Sequence, residues 1–236
     1  GKAQAVMAHT NVGLANCAIG AINAATEHVP MLIFSGRTPV VEKGRLGART
    51  VPIGWGQEMR DQTAMIRECV KWDYELKYPE QAVEIVDRAF AIAGSTPRGP
   101  VYLSLPREVL CEPCPSAGLE APGSIAPATA GPRHVDLQQA AALLAKASKP
   151  LIIAQRGAGS EDGFATLSRF ASDWAIPVCQ YWAIQLAVPT DHPMAVGSDP
   201  APWLAEADLV FVVDCLAPWS PDIHALKPGC KIVHIG

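Results

Sequence analysis

Three short stretches carry the side chains best suited to chemistry. The first is His9-Thr10-Asn11-Val12-Gly13, with Asn16 one turn further on, placed directly after a short apolar run at 5–8. An imidazole with an unperturbed pKa near ~6.5 takes or gives a proton at neutral pH. Asn11 and Asn16 offer both donors and acceptors, and Gly13 lets backbone amides come close to a ligand. The same residues could equally be no more than helix caps. The second stretch is Trp55-Gly56-Gln57-Glu58, where Gln57 either faces a site or caps a helical stretch expected at 59–69. The third is Cys111-Glu112-Pro113-Cys114. Its C-x-x-C spacing suits zinc or redox chemistry, but no second pair or histidine couple follows at finger spacing, so no metal site is expected.

The elements around these residues read as alternating strands and helices. Residues 5–8 have strand length, 9–13 form a polar turn, and 14–25 a helix with Leu14, Ala18, Ala21, Ile22 and Ala25 on one apolar face. A second apolar run follows at 31–34. In such a βαβ unit the connection is right-handed, and the turn after the first strand lies at the carboxyl edge of the sheet, where ligands sit. Residues 37–58 have no clean period, and loops longer than ~12–15 residues are usually functional or mobile. A strand at 70–76, a helix at 79–94 with Val86 and Phe90 on its inner face, and a strand at 101–105 complete a domain at 1–105.

Six prolines interrupt every period between Pro106 and Pro132, so 106–133 is expected to be a semi-rigid linker. A second domain, 134–236, opens on a capping box of Asp136 with Gln139 and a helix reaching Ala147. Strands at 151–154, 177–180, 209–213 and 231–235, and a helix at 161–174, complete it. The fold class expected is α/β, two doubly wound, mainly parallel-sheet domains. In the second domain Gly157, Gly159 and Gly163 miss the dinucleotide spacing G-x-G-x-x-G by one residue.

A formal net charge of −4 without Lys/Arg clusters argues against nucleic acid as a partner. No apolar run approaches the ~18 residues of a membrane span. The seven cysteines, an odd number lying mostly in apolar segments, are expected to be reduced thiols of a cytoplasmic protein. The chain opens and closes on strands, so it is expected to be a fragment of a longer protein.

The run Thr10-Asn11-Val12-Gly13-Leu14-Ala15-Asn16, continuing into Ser35-Gly36-Arg37-Thr38-Pro39, resembles the second half of the pyrimidine-binding domain of thiamine-diphosphate enzymes, the acetolactate synthase-like group above all. Gly56-Gln57-Glu58 followed by Val70-Lys71-Trp72, and Gly99-Pro100-Val101-Tyr102-Leu103-Ser104-Leu105-Pro106, resemble two further blocks of that domain. Pro189-Thr190-Asp191-His192-Pro193, Gly197 and the strand entry Ala207-Asp208-Leu209-Val210 resemble the family's Rossmann-like central domain.

The resemblance implies thiamine diphosphate as cofactor, held in part by Thr10, Asn11, Val12, Gly13, Asn16 and Gln57. It also implies Mg2+ held outside this chain, and a homodimer or homotetramer that decarboxylates or ligates 2-keto acids. The family's activating glutamate and magnesium segment are not among these residues, so the chain alone is expected to be inactive. His9 matches the histidine of benzoylformate decarboxylase-like enzymes and is the catalytic candidate; acetolactate synthases have a glycine- and proline-rich loop there. The central domain holds FAD in some relatives, and Asp214 stands where many have glycine. The alternative from another class is a non-catalytic nucleotide-binding module of a redox or regulatory protein.

Overall fold

The computed structural model describes residues 2–114, 119 and 124–236. By their internal contacts these divide into two units, Gly1–Ala130 and Gly131–Gly236. Each is an α/β unit built on one four-stranded parallel sheet.

In the first unit, strands β1 (Gln4–Ala8), β2 (Met31–Arg37), β3 (Asp73–Glu75) and β4 (Pro100–Pro106) lie in the order β1-β2-β4-β3. Alternate residues of the central strands face opposite sides. Ile33 and Tyr102 pack under α1 (Thr10–Thr26) with Leu14 and Ala21. Leu32, Val101 and Leu103 pack under α3 (Ala82–Gly94) with Ile85, Ala89 and Ala93. This period-two division places helices on both faces and buries the centre of the sheet.

The long polar stretch is held by Glu108, itself buried, whose carboxylate accepts the amides of Val40 and Val41 at 2.6 and 3.0 Å. A single helical turn, α2 (Ile53–Gly56), leads into Gln57. Another, α4 (Arg107–Leu110), follows β4.

Several local expectations are corrected. The turn at 9–13 is shorter than expected, since α1 begins at Thr10 and His9 alone is its extended N-cap. What approaches Gly13 most closely is Ala8, whose carbonyl carbon would stand 3.2 Å from an added Cβ. β1 is an edge strand among the described strands, with Met7 70% exposed. Ile22 is exposed while Ala24 is buried, because α1 is apolar nearly all round and its sequence does not select a face. On α3, Val86 and Phe90 are exposed and Ile85 takes the inner position. Residues 59–69 form two 3-10 turns, Thr63–Met65 and Arg67–Cys69, not an α-helix. Here Asp61 accepts the amide of Ala64, and Gln62 turns its side chain inward.

In the second unit, β5 (Pro150–Ala154), β6 (Val178–Cys179), β7 (Leu209–Val213) and β8 (Lys231–Ile235) lie in the order β6-β5-β7-β8. Helices α5 (His134–Leu144) and α6 (Glu161–Asp173) cover the face of Ile152, Leu209 and Phe211. The turn α7 (Ala201–Leu204) helps cover the face of Leu151, Ile153, Val210 and Val212. Asp136 does not cap α5. It lies in the first turn and receives both arms of the Arg133 guanidinium at 2.9 Å.

Part of the proline-rich stretch, 115–118 and 120–123, lies outside the described residues. Beyond it, Ile125 donates to Asp87, and Ala128 exchanges hydrogen bonds with Ser95 and Thr96. No disulfide forms among the described residues. None of their helices is long and apolar enough to cross a membrane.

Candidate active site

Because β1, β2 and β4 run parallel, their carboxyl ends meet at one edge of the first sheet. His9 follows β1, Arg37 ends β2 and Arg107 follows β4. All three line one cavity of about 250 Å³, together with Thr10, Arg49 and Gln57. Ligands of parallel α/β sheets bind at this edge.

The central feature is a chain of three side chains. Thr10 is only 8% exposed, and its hydroxyl donates to Gln57 Oε1 at 3.0 Å and lies 3.3 Å from His9 Nδ1. A hydroxyl has one proton to give. With that proton on Gln57, the imidazole must donate from Nδ1, which leaves Nε2 as its basic nitrogen. The Gln57 amide nitrogen has no hydrogen-bond partner among the described residues. Thr10 also adopts φ +48°, the left-handed region that a β-branched residue avoids.

Below this chain lies a buried polar cluster. The Gln62 amide nitrogen reaches Ser35 Oγ, Gly36 O and Tyr102 OH at 2.9–3.1 Å, and Ser35 and Tyr102 are 2.7 Å apart. It fixes the carboxyl end of β2, from which Arg37 extends to Glu75 at 2.5 Å. Burial opposes the charge on Glu75, but hydrogen bonds from Lys77 and Arg37 outweigh it and hold this carboxyl below the usual range.

Of the residues expected at a site, His9, Thr10 and Gln57 are brought together. Asn11, Val12, Gly13 and Asn16 do not line the cavity. Asn11 accepts the amide of Val12, while Val12 and Asn16 are exposed one turn apart on α1. Arg49, Thr38 and Arg107 line the cavity without having been expected there. Their signal was positional, since Arg107 follows a strand just as His9 does. Among the described residues no His, Cys, Asp or Glu cluster could hold a metal ion.

The second unit offers another crevice, between the carboxyl ends of β5 and β7, where the strand order reverses. The protein's own groups occupy it. Arg156, 5% exposed, pairs with Asp214 at 3.2 Å, and its amide donates to Asp214 O. Asp214 has φ +42°, a conformation that glycine adopts without strain, and its carboxylate is engaged by Arg156. A Cβ on Gly157 would meet Gln185 at 3.0 Å and Leu186 O at 3.2 Å, so that glycine makes room for the chain's own loop.

Two doubly wound units, the first with a polar constellation at its strand ends, place the chain in the α/β class with its candidate site at a sheet edge. Residues 137–236 match the family model described as thiamine pyrophosphate enzyme, central domain, and the chain resembles the thiamine pyrophosphate enzymes. It is 26% identical over its whole length to a probable acetolactate synthase large subunit of Methanocaldococcus jannaschii, covering 40% of that protein. Over 90% of its length it is 30% identical to a probable 2-ketoarginine decarboxylase of Pseudomonas aeruginosa, covering 37% of it. A benzoylformate decarboxylase from Polynucleobacter necessarius shares the fold, with TM-score 0.77, 23% identity, and coverage of 99% of this chain and 44% of that one. The chain thus spans well under half the length of these relatives.

Proposed function

We propose that this chain supplies the pyrimidine-side half of the active site in a thiamine-diphosphate-dependent decarboxylase or carboligase of 2-keto acids. The observation that supports this most is the His9–Thr10–Gln57 chain at the end of β1, with Thr10 held in a left-handed conformation. Strained backbone of this kind, where it is observed, concentrates at functional sites.

When bound, thiamine diphosphate supplies the electron sink that lets a 2-keto acid lose carbon dioxide. Gln57 would hold its pyrimidine side through the unpartnered amide nitrogen. Thr10 fixes the imidazole, and His9 takes or gives a proton at Nε2. Magnesium, in this reading, is held by residues outside the chain. FAD is not part of this reading: the Arg156 and Asp214 side chains are already engaged with each other at the strand ends where a nucleotide would lie, and the same pairing weighs against the nucleotide-binding alternative. We also propose a homodimer or larger assembly, supported by Ile19, Ile22 and Val12 exposed on α1. A cytoplasmic setting, expected from an odd number of cysteines lying mostly in apolar segments, is part of the same proposal.

The test is His9→Ala in the full-length enzyme. Turnover and kcat/KM should fall together by ~10²- to 10⁴-fold, as for a general acid–base group, with folding and cofactor affinity nearly unchanged. A destabilised variant with normal turnover would remove His9 from the chemistry.

A further inference from the structure

The cavity beside His9 carries an excess of positive charge that proton transfer does not use. Arg37, Arg49 and Arg107 line it, and no carboxylate does. Arg37 and Arg49 are each matched by an acid standing behind them, Glu75 and Glu58. Arg107 has no ion-pair or hydrogen-bond partner among the described residues, and it is exposed at the cavity mouth.

Arg49 is the stronger observation. Its side chain is 6% exposed, with Nε donating to Pro39 O and Nη2 to Glu58, both at 2.6 Å, and the guanidinium lies 5.2 Å from the Trp55 ring. Its remaining terminal nitrogen, Nη1, has no partner among the described residues, although the residue lines the cavity. Nη1 is not sealed from solvent, so it can donate to an acceptor that enters the cavity, which Arg107 also lines.

We infer that this cavity binds an anionic group at the end of the substrate remote from the keto function, a second carboxylate, a sulfonate or a phosphonate, with Arg107 as the residue that selects it. The inference rests on the reading above that the site takes 2-keto acids. The reacting carboxylate is the wrong occupant, because it departs as neutral carbon dioxide. Cations gripping it would stabilise the ground state more than the transition state and slow the reaction. An oxyanion that survives the reaction can be held tightly throughout. At about 250 Å³ the cavity is smaller than the ~300–1,000 Å³ typical of pockets for larger ligands. It therefore suits a substrate tail, with Val51, Ile53 and Leu105 beside its methylenes.

Arg107 is exposed and makes no side-chain bond among the described residues, so Arg107→Gln should fold. In the full-length enzyme with thiamine diphosphate and magnesium, kcat/KM is compared for 2-oxoglutarate and 2-oxopentanoate, which differ in the terminal carboxylate. Calorimetry compares glutarate with pentanoate as unreactive ligands. The dianions should be favoured at least about tenfold, the worth of one hydrogen bond to a charged group. Arg107→Gln should erase most of that preference, lowering kcat/KM for 2-oxoglutarate several-fold more than for 2-oxopentanoate, and Arg107→Lys should restore part of it.

Equal treatment of the two keto acids, or an equal loss for both in Arg107→Gln, overturns the inference. Turnover of 2-oxopentanoate without binding of glutarate sinks it and leaves the 2-keto acid reading standing. Arg107-dependent binding of glutarate without turnover of either keto acid supports the anion site and removes the reading.

Discussion

Thr10 holds a conformation that costs about 1–3 kcal/mol, and what it obtains is a hydroxyl aimed at Gln57 with His9 behind it. Nearby, Glu75 ties the carboxyl end of β2 to that of β4. It accepts from Arg37 and Lys77 and, at 3.2 Å, from Ser104. Its carboxyl titrates below the ordinary 4.5 when folded, so the stability it contributes is present above that value and is lost as pH falls through the folded one. Glu75→Gln should therefore be less stable by about 1–3 kcal/mol at neutral pH, with a gap that closes in acid. Urea unfolding at pH 7, 5 and 3 measures it, and a gap independent of pH would contradict the assignment. The places of His9 and Thr10 were legible in the sequence, because a polar cluster after an apolar run marks a strand end, whereas Gln57 was singled out by a long aperiodic loop and by the resemblance. Arg107 carried only the positional signal of a residue that follows a strand, and Arg49 none, since nothing in one-dimensional spacing says which residues of a long loop converge on a strand end.

Among elements, strands were read more securely than helix faces. β5, β7 and β8 lie where short apolar runs bounded by turns put them. The inner faces of α1 and α3 were misread in part because both helices carry apolar residues beyond a single stripe, and packing, not periodicity, decides which are covered. The glycines of the second unit show a similar limit. Gly157, Gly159 and Gly163 look like a spoiled nucleotide motif, but two of them answer local packing. Gly163 donates its amide to the Ser160 cap at 3.0 Å, and a Cβ there would lie 2.0 Å from the Ala158 carbonyl oxygen. Gly163→Ala should cost about 3 kcal/mol or more by forcing the start of α6 off its turn. Gly159→Ala, in open space at φ +77°, should cost only the left-handed penalty of about 1–2 kcal/mol. Thermal melts of the two variants give the order, and the reverse order would refute this account of the turn.

At the scale of the molecule, we keep the proposal that 106–133 joins two separately organised domains, with its end at Ile125 and Ala128 fastened to the first. β1 has a further bearing on how the chain behaves in the tube. It is hydrogen-bonded only to β2 among the described strands, so its outer rim presents amides and carbonyls with no ladder to join. An open rim of that kind is a template on which another chain can crystallise its own backbone, and natural proteins guard such rims with charge or cover. Here the outward residues are Gln4, Ala5 and Met7, none of them charged. Produced by itself at rising concentration, the 236-residue chain should scatter light and lose monomer with time, and Met7→Lys should slow that loss. A monomer that persists at high concentration, indifferent to Met7→Lys, would mean that the rim is already guarded.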